Sequence, residues 1–230
     1  MSKKDTWNRE MKTTGEPPAN TVLISELFFS LQGEGPWAGL PAVFIRLAGC
    51  VEPLCPWCDT AYAWSGGERI DTERILETVR SHPCRRVVIT GGEPFLQWNS
   101  GLEDLHRSLA SQKYQIQYET SGKVNIPSVP DALVVCSPKH VDGAWRFEEA
   151  NLGAVDVFKF VAGGVDWFER IDAFIARYGI EPEKVCIMPL GATRDEQIRN
   201  MGPVFTYCRQ RGYRMSPRLH ILAFDTKRGI

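Results

Sequence analysis

The 230-residue chain has no apolar run that approaches the ~18 residues of a membrane-spanning helix, so no membrane role is expected. Charge of one sign is also lacking. Lys and Arg total 27 against 28 Asp and Glu, a formal net charge of −1, without the broad basic footprint of a nucleic-acid binder. Seven cysteines are too few for a disulfide scaffold, and an odd number fits a reducing cytoplasm where thiols stay free or hold metal. Residues 1–20, with Lys3, Lys4, Lys12 and Gly15-Glu16-Pro17-Pro18, lack the apolar middle of a secretory signal. They read as a disordered leader before a single domain over 21–230. With 43% hydrophobic and 24% charged residues, disorder is excluded for most of the chain.

From Thr21 onward, strand-length apolar runs alternate with helical patterns. Val43–Ile45, Val87–Ile89, Ile116–Tyr118, Leu133–Val135, Val155–Val161 and Val185–Met188 read as strands buried on both faces, hence parallel. Between them, Ile75, Leu76 and Val79 follow a cap at Asp71 or Thr72, Leu102, Leu105 and Leu109 form a second stripe, and a third helix runs from Val165 to Tyr178 before Gly179. A last helix starts near Thr193 and is expected to bend at Gly202-Pro203, leading to a strand near Tyr213. Ser121–Pro130 and Ser137–Asn151 show little periodicity, so their crossovers have little helix. The expected fold is α/β, a partial, open TIM-like barrel of about six parallel strands, with ligands at the C-terminal strand ends.

Cys50, Cys55 and Cys58 follow the strand Val43–Leu47 on one loop. A closed zinc site takes four ligands and a ferredoxin-type cluster four cysteines. An iron–sulfur cubane held by three leaves one iron open to a substrate or cofactor. The alternative reading is a zinc site completed by Asp59 or His82, in a binding module without catalysis. Cys84, Cys136, Cys186 and Cys208 are scattered among apolar patterns and read as small core residues. At the next strand end, Thr90-Gly91-Gly92-Glu93-Pro94 lets backbone groups approach a ligand. Glu119-Thr120-Ser121-Gly122 and Ser137-Pro138-Lys139 end later strands with hydroxyls and one cation.

The three-cysteine loop followed by this glycine turn resembles the radical S-adenosylmethionine superfamily, although the first gap holds four residues rather than the usual three. Ser30-Leu31-Gln32-Gly33-Glu34-Gly35, Phe44-Ile45-Arg46-Leu47-Ala48-Gly49-Cys50, Cys58-Asp59-Thr60 and the ending Leu219-His220 with Lys227-Arg228-Gly229-Ile230 are similar to the 7-carboxy-7-deazaguanine synthase family. This resemblance implies a [4Fe-4S] cluster, S-adenosyl-L-methionine and Mg²⁺. The implied reaction converts 6-carboxy-5,6,7,8-tetrahydropterin to 7-carboxy-7-deazaguanine with loss of ammonia, in queuosine and deazapurine biosynthesis. It also implies a homodimer and a reductant such as flavodoxin or ferredoxin.

By the same resemblance, Cys50, Cys55 and Cys58 ligate the cluster and Thr60 the Mg²⁺. Trp57, Cys58, Asp59, Gly92, Glu93, Ser137, Pro138, Lys139 and, more distantly, Met188 contact the cofactor. Leu31, Gln32, Gly33, Glu34, Arg46, Thr90, His220 and the terminal carboxylate of Ile230 contact the substrate. Arg46 suits bidentate capture of a carboxylate. Lys159 faces either the site or the surface. The alternative within the superfamily is a glycyl-radical activating enzyme, which needs an open face to admit a polypeptide.

Replacing Cys50, Cys55 or Cys58 by Ala is expected to abolish both the brown colour and cofactor cleavage, read by visible absorption and chromatography, whereas Cys84→Ala keeps them. Colour lost in Cys84→Ala and kept in Cys50→Ala would reverse the assignment.

Overall fold

The computed structural model describes residues 20–227, so all but the last residue of the expected leader, and the tail residue Ile230, lie outside the described residues. In chain order the strands and helices are β1 (Thr21–Leu31), β2 (Pro41–Leu47), β3 (Glu68–Asp71), α1 (Thr72–Arg80), β4 (Arg86–Gly91), α2 (Leu102–Ser111), β5 (Gln115–Thr120), β6 (Ala132–Cys136), β7 (Lys139–Val141), β8 (Ala144–Arg146), β9 (Val157–Ala162), α3 (Val165–Tyr178), β10 (Val185–Pro189), α4 (Arg194–Arg211), β11 (Arg214–Met215) and α5 (Leu219–Phe224). Among the described residues no helix is long and apolar enough to cross a membrane.

The main sheet has nine strands in the order β11-β10-β9-β6-β5-β4-β2-β1-β3. From β2 to β11 the pairings are parallel, whereas β1 pairs antiparallel with both β2 and β3. The six expected parallel strands and the strand expected near Tyr213 are all present, making seven parallel strands, and the expectation is corrected by two antiparallel additions, β1 and β3. The additions have physical reasons. β1 mixes Glu26 into its apolar residues, and β3 is the polar edge sequence Glu68-Arg69-Ile70-Asp71. Neither reads as a doubly buried run.

The parallel strands follow the chain order across the sheet without reversal. Right-handed crossovers between neighbours taken always in one direction put every connection on one face. That face carries the main core, where Val43, Ile45, Leu47, Val87, Ile89, Ile116 and Phe158 meet Ile75, Val79, Leu105, Leu109, Ile171 and Phe174 of the helices. Because successive strand residues alternate faces, Ala42, Phe44 and Val88 form a separate small cluster on the other face, with Phe28 and Trp37.

Asp71 caps α1 by accepting from the Glu73 N–H at 2.9 Å, and Gly179 ends α3 in the left-handed region at φ +61°. Residues 121–131 contain no helix, and 137–151 fold instead into the β7–β8 hairpin and the start of a 3₁₀ turn. α4 is continuous through Pro203 rather than divided there. The four scattered cysteines are buried.

Gly91 ends β4 at φ +134°, and a Cβ there would collide with the Leu47 carbonyl oxygen, whereas Gly39 at φ +86° faces open space. Gly39→Ala is expected to cost about 1–2 kcal/mol of backbone strain. Gly91→Ala adds about 1–3 kcal/mol of overpacking. Urea unfolding checks this, and equal losses would remove the packing role of Gly91.

Candidate functional site

At the C-terminal end of the parallel strands, the face without helices turns from apolar to polar. Arg46 on β2 is in register with Thr90 on β4, and Glu119 on β5 and Lys159 on β9 share their orientation. Lys159, which the sequence left between site and surface, points inward with its side chain 6% exposed. Its Nζ donates to Glu119 Oε2 at 2.6 Å and to Glu34 Oε2 at 2.8 Å. Gln117 Nε2 donates to Glu119 Oε1 at 2.6 Å and Gln32 Nε2 at 3.4 Å.

Burial opposes the charges of this group, but mutual attraction decides two of them. Burial raises the Glu34 carboxyl, yet Lys159, Arg218 and His220 more than offset it and hold it far below the usual carboxylate range. Lys159 is likewise disfavoured by burial and then raised by Glu119 and Glu34. Glu119 is pushed up by burial and by the Glu34 charge, against the pull of Lys159. Burial lowers His220, with Arg218, Arg46 and Lys159 adding to the effect and Glu34 opposing it.

The loop from Gln32 to Leu40 is pinned beside this network. Gln32 N donates to Leu40 O at 2.8 Å and Gly35 N to Ser216 Oγ at 2.6 Å. A Cβ on Gly33 would enter the His220 ring, and Leu219 N donates to Gly33 O at 2.9 Å. The start of α5 therefore rests on the Gln32–Glu34 segment. Leu31, paired with Pro41 at the end of β1, is 57% exposed. Arg46 donates from Nε to Glu26 Oε2 at 2.7 Å, and Tyr62 donates to the same oxygen at 2.8 Å. Its guanidinium carbon lies 5.9 Å from the Phe28 ring centroid.

The cysteine loop occupies the neighbouring strand end, with Cys50, Cys55 and Cys58 all half-buried and free. Lys123 Nζ donates to Pro53 O at 2.6 Å and Val51 O at 3.2 Å, and the Glu52–Pro53 bond is cis. Burial pushes the Cys50 thiol up, against the Val51 N–H and Lys123. A Cβ on Gly92 would collide with Gly49 O, so the glycine turn lies directly against this loop. Glu93 is fully buried. Its Oε1 accepts from Thr120 Oγ1 at 2.6 Å, and its Oε2 from Ser121 N at 3.0 Å and Oγ at 2.5 Å.

Lys139 donates to Ser137 Oγ at 2.7 Å. Burial draws its ammonium down, while Cys55 opposes. Trp57 meets Trp167 edge-on at 5.5 Å, and Met188, next to last in β10, is 8% exposed. Pro138 lies between Ser137 and Lys139 at the same end of the sheet as the cysteine loop.

These residues fit a multi-iron cluster better than a single ion. Cys50, Cys55 and Cys58 place three free thiols on one loop, the soft donor set that iron–sulfur clusters take. The completing ligands of the zinc reading are committed elsewhere. Asp59 pairs with Arg218, and His82 stacks on Phe29 at 5.1 Å, just before the N-terminal end of β4. Thr60 Oγ1 lies 3.5 Å from Cys58 Sγ and offers an oxygen to a hard cation whose other ligands would be water or substrate.

The sequence reading missed Glu26, Gln117, Lys123 and Arg218. Glu26, Lys123 and Arg218 act through partners distant in the chain, which no local spacing marks, and Gln117 braces Glu119 two residues along the same strand face.

No protein-family model matches the chain. A protein of Pyrobaculum aerophilum named 7-carboxy-7-deazaguanine synthase is 35% identical over 225 residues, covering 90% of this chain and 97% of its own. One of the same name from Escherichia coli K12 is 30% identical, with 86% and 96% covered. The crystal structure of QueE from Escherichia coli superposes with a TM-score of 0.73 at 28% identity, covering 87% of this chain and 95% of that one.

Lys159→Met leaves buried carboxylates without their cation and is expected to cost about 3–5 kcal/mol at neutral pH. The Glu34 carboxyl is depressed in the folded wild type, so its contribution is present above the unfolded value of about 4.3 and is lost as pH falls through the folded value. In the variant both carboxyls rise, and stability then falls as pH rises. The deficit should therefore shrink toward acid in urea titrations run across pH, and a pH-independent deficit would contradict the pairing.

Proposed function

Because the chain belongs to the 7-carboxy-7-deazaguanine synthase family, we propose that it rearranges 6-carboxy-5,6,7,8-tetrahydropterin to 7-carboxy-7-deazaguanine, releasing ammonia as the ring contracts. The observation that carries this reading is the buried polar network Gln32-Glu34-Glu119-Lys159 beside a loop of three free thiols. Once bound at Cys50, Cys55 and Cys58, the [4Fe-4S] cluster with S-adenosyl-L-methionine supplies the radical chemistry.

The chain's own residues bind and orient. Arg46, held through Nε by Glu26, keeps its terminal nitrogens for the substrate carboxylate. Gln32 and Glu34, with Thr90 and His220, offer acceptors and donors to the pterin edge. Gly33 lets the backbone lie under the His220 ring. Thr60 adds a hydroxyl for Mg²⁺, the substrate and water supplying the rest. The Ile230 carboxylate is proposed to accept from the exocyclic amino edge.

Toward S-adenosyl-L-methionine, the Glu93 carboxylate is fully engaged with Thr120 and Ser121. Gly92 and Glu93 therefore act through their backbone. Ser137, Pro138 and Lys139 border the ribose and carboxylate region, Trp57 and Asp59 flank Cys58, and Met188 lies toward the adenine.

The same reading takes the sheet as an open, partial TIM-like barrel. One-directional winding supports this, since curling would cover the polar face. It takes residues 21–230 as one catalytic domain after a 1–20 leader, working as a homodimer in the cytoplasm with a flavodoxin or ferredoxin. Seven free thiols support that compartment. The packing of α5 onto Gly33 favours a small enclosed substrate over the polypeptide of an activating enzyme.

Anaerobic, reduced protein given S-adenosyl-L-methionine, Mg²⁺ and the carboxytetrahydropterin is expected to yield the mass of 7-carboxy-7-deazaguanine. Its absence with the cluster intact would overturn the reading. Arg46→Ala should lose about 1.5–3 kcal/mol, roughly 10–150-fold in substrate affinity by calorimetry. Arg46→Lys should recover little of it, lacking the planar fork.

A further inference from the structure

Arg218 joins the two halves of this site, its side chain bonded on the cofactor side and its main chain leading into the segment that packs on the substrate side, and no sequence motif pointed to it. It lies immediately before α5 with its side chain 11% exposed. On the cofactor side, its Nη2 pairs with Asp59 Oδ2, beside Cys58. Its Nη1 donates to Gly191 O at 3.2 Å, in the segment that follows Met188. Gln197 braces that segment, donating from Nε2 to Pro189 O at 2.8 Å and Gly191 O at 2.9 Å while its Oε1 accepts from Arg218 N at 3.3 Å.

On the substrate side, Arg218 immediately precedes the Leu219 N–H that bonds to Gly33 O. Its charge acts on both Glu34 and His220. The Nε donor is buried without a partner, so the guanidinium is committed at its fork and unsatisfied at its base. A buried donor left in this way is costly.

We infer that Arg218 couples the two ligands of the site, so that S-adenosyl-L-methionine, by ordering the Asp59 loop and the Gly191 segment, tightens binding of the carboxypterin at Glu34 and His220, and the reverse. The inference rests on the proposed function. Its physical basis is that one planar cation ties the Asp59 loop to the Gly191 segment, and the main chain that carries it runs directly into Leu219 and His220, which pack on Gly33. A ligand that orders one element removes part of the ordering cost of the other, and the resulting factor must be reciprocal.

The experiment measures carboxypterin affinity by calorimetry on cluster-loaded protein, with and without saturating S-adenosyl-L-methionine, together with thermal unfolding of the ligand-free protein. Wild type is expected to show a 5–150-fold ratio, and Arg218→Met a ratio near one. Arg218→Lys, a point charge without the fork, should resemble Arg218→Met. A merely structural Arg218 would weaken both measurements and lower the unfolding temperature while leaving their ratio unchanged. Asp59→Asn tests the same contact from its more exposed end, and its ratio decides the matter if Arg218→Met does not fold. A wild-type ratio of one, or the wild-type ratio kept in the deciding variant, would overturn the inference alone. A wild type that binds neither ligand would overturn the reading of the site beneath it.

Discussion

An ammonium group inside a β-sheet must find its counter-charges already in place, because water cannot follow it and burial without a partner costs several kcal/mol or more. Lys159 meets this requirement with one carboxylate from β5 and one from the loop after β1. The second partner has the larger structural consequence. Holding Glu34 against β9 draws the whole Gln32–Leu40 loop over the strand ends, and Ser216 and the start of α5 then pack on that loop through Gly35 and Gly33.

The same face of the sheet is apolar at one end and charged at the other. Ala42, Phe44 and Val88 close the first, whereas Arg46, Thr90, Glu119 and Lys159 occupy the second. Strand alternation makes this economical. Each strand gives its odd or even residues to the helix-covered core and the remainder to the inner face. The cofactor side is organised by close backbone approach. Gly91 and Gly92 bring the end of β4 against Leu47 and Gly49, and Lys123 holds the cysteine loop by its carbonyl oxygens.

Much of this was legible from the amino-acid order. The parallel strands announced themselves as apolar runs because both of their faces are covered. The cysteine loop, the glycine turn and the Gln32–Glu34 segment are local spacings that need no neighbour to be recognised. β1 was harder to see, since Glu26 interrupts its pattern to meet Arg46 and Tyr62. Pro203 signalled a bend, and α4 runs through it as one continuous helix, packed against β10 and α5.

Chain order alone therefore determined the elements with strong local periodicity, the three thiols on one loop and the family motifs, because these depend on residues close in sequence. Tertiary structure decided which way Lys159 points, that Glu26 faces Arg46, and that Arg218 reaches Asp59 across the molecule. Those are pairings of charges brought together by the winding of the sheet. The energy of such a pair depends on distance and burial, which no spacing in the sequence encodes.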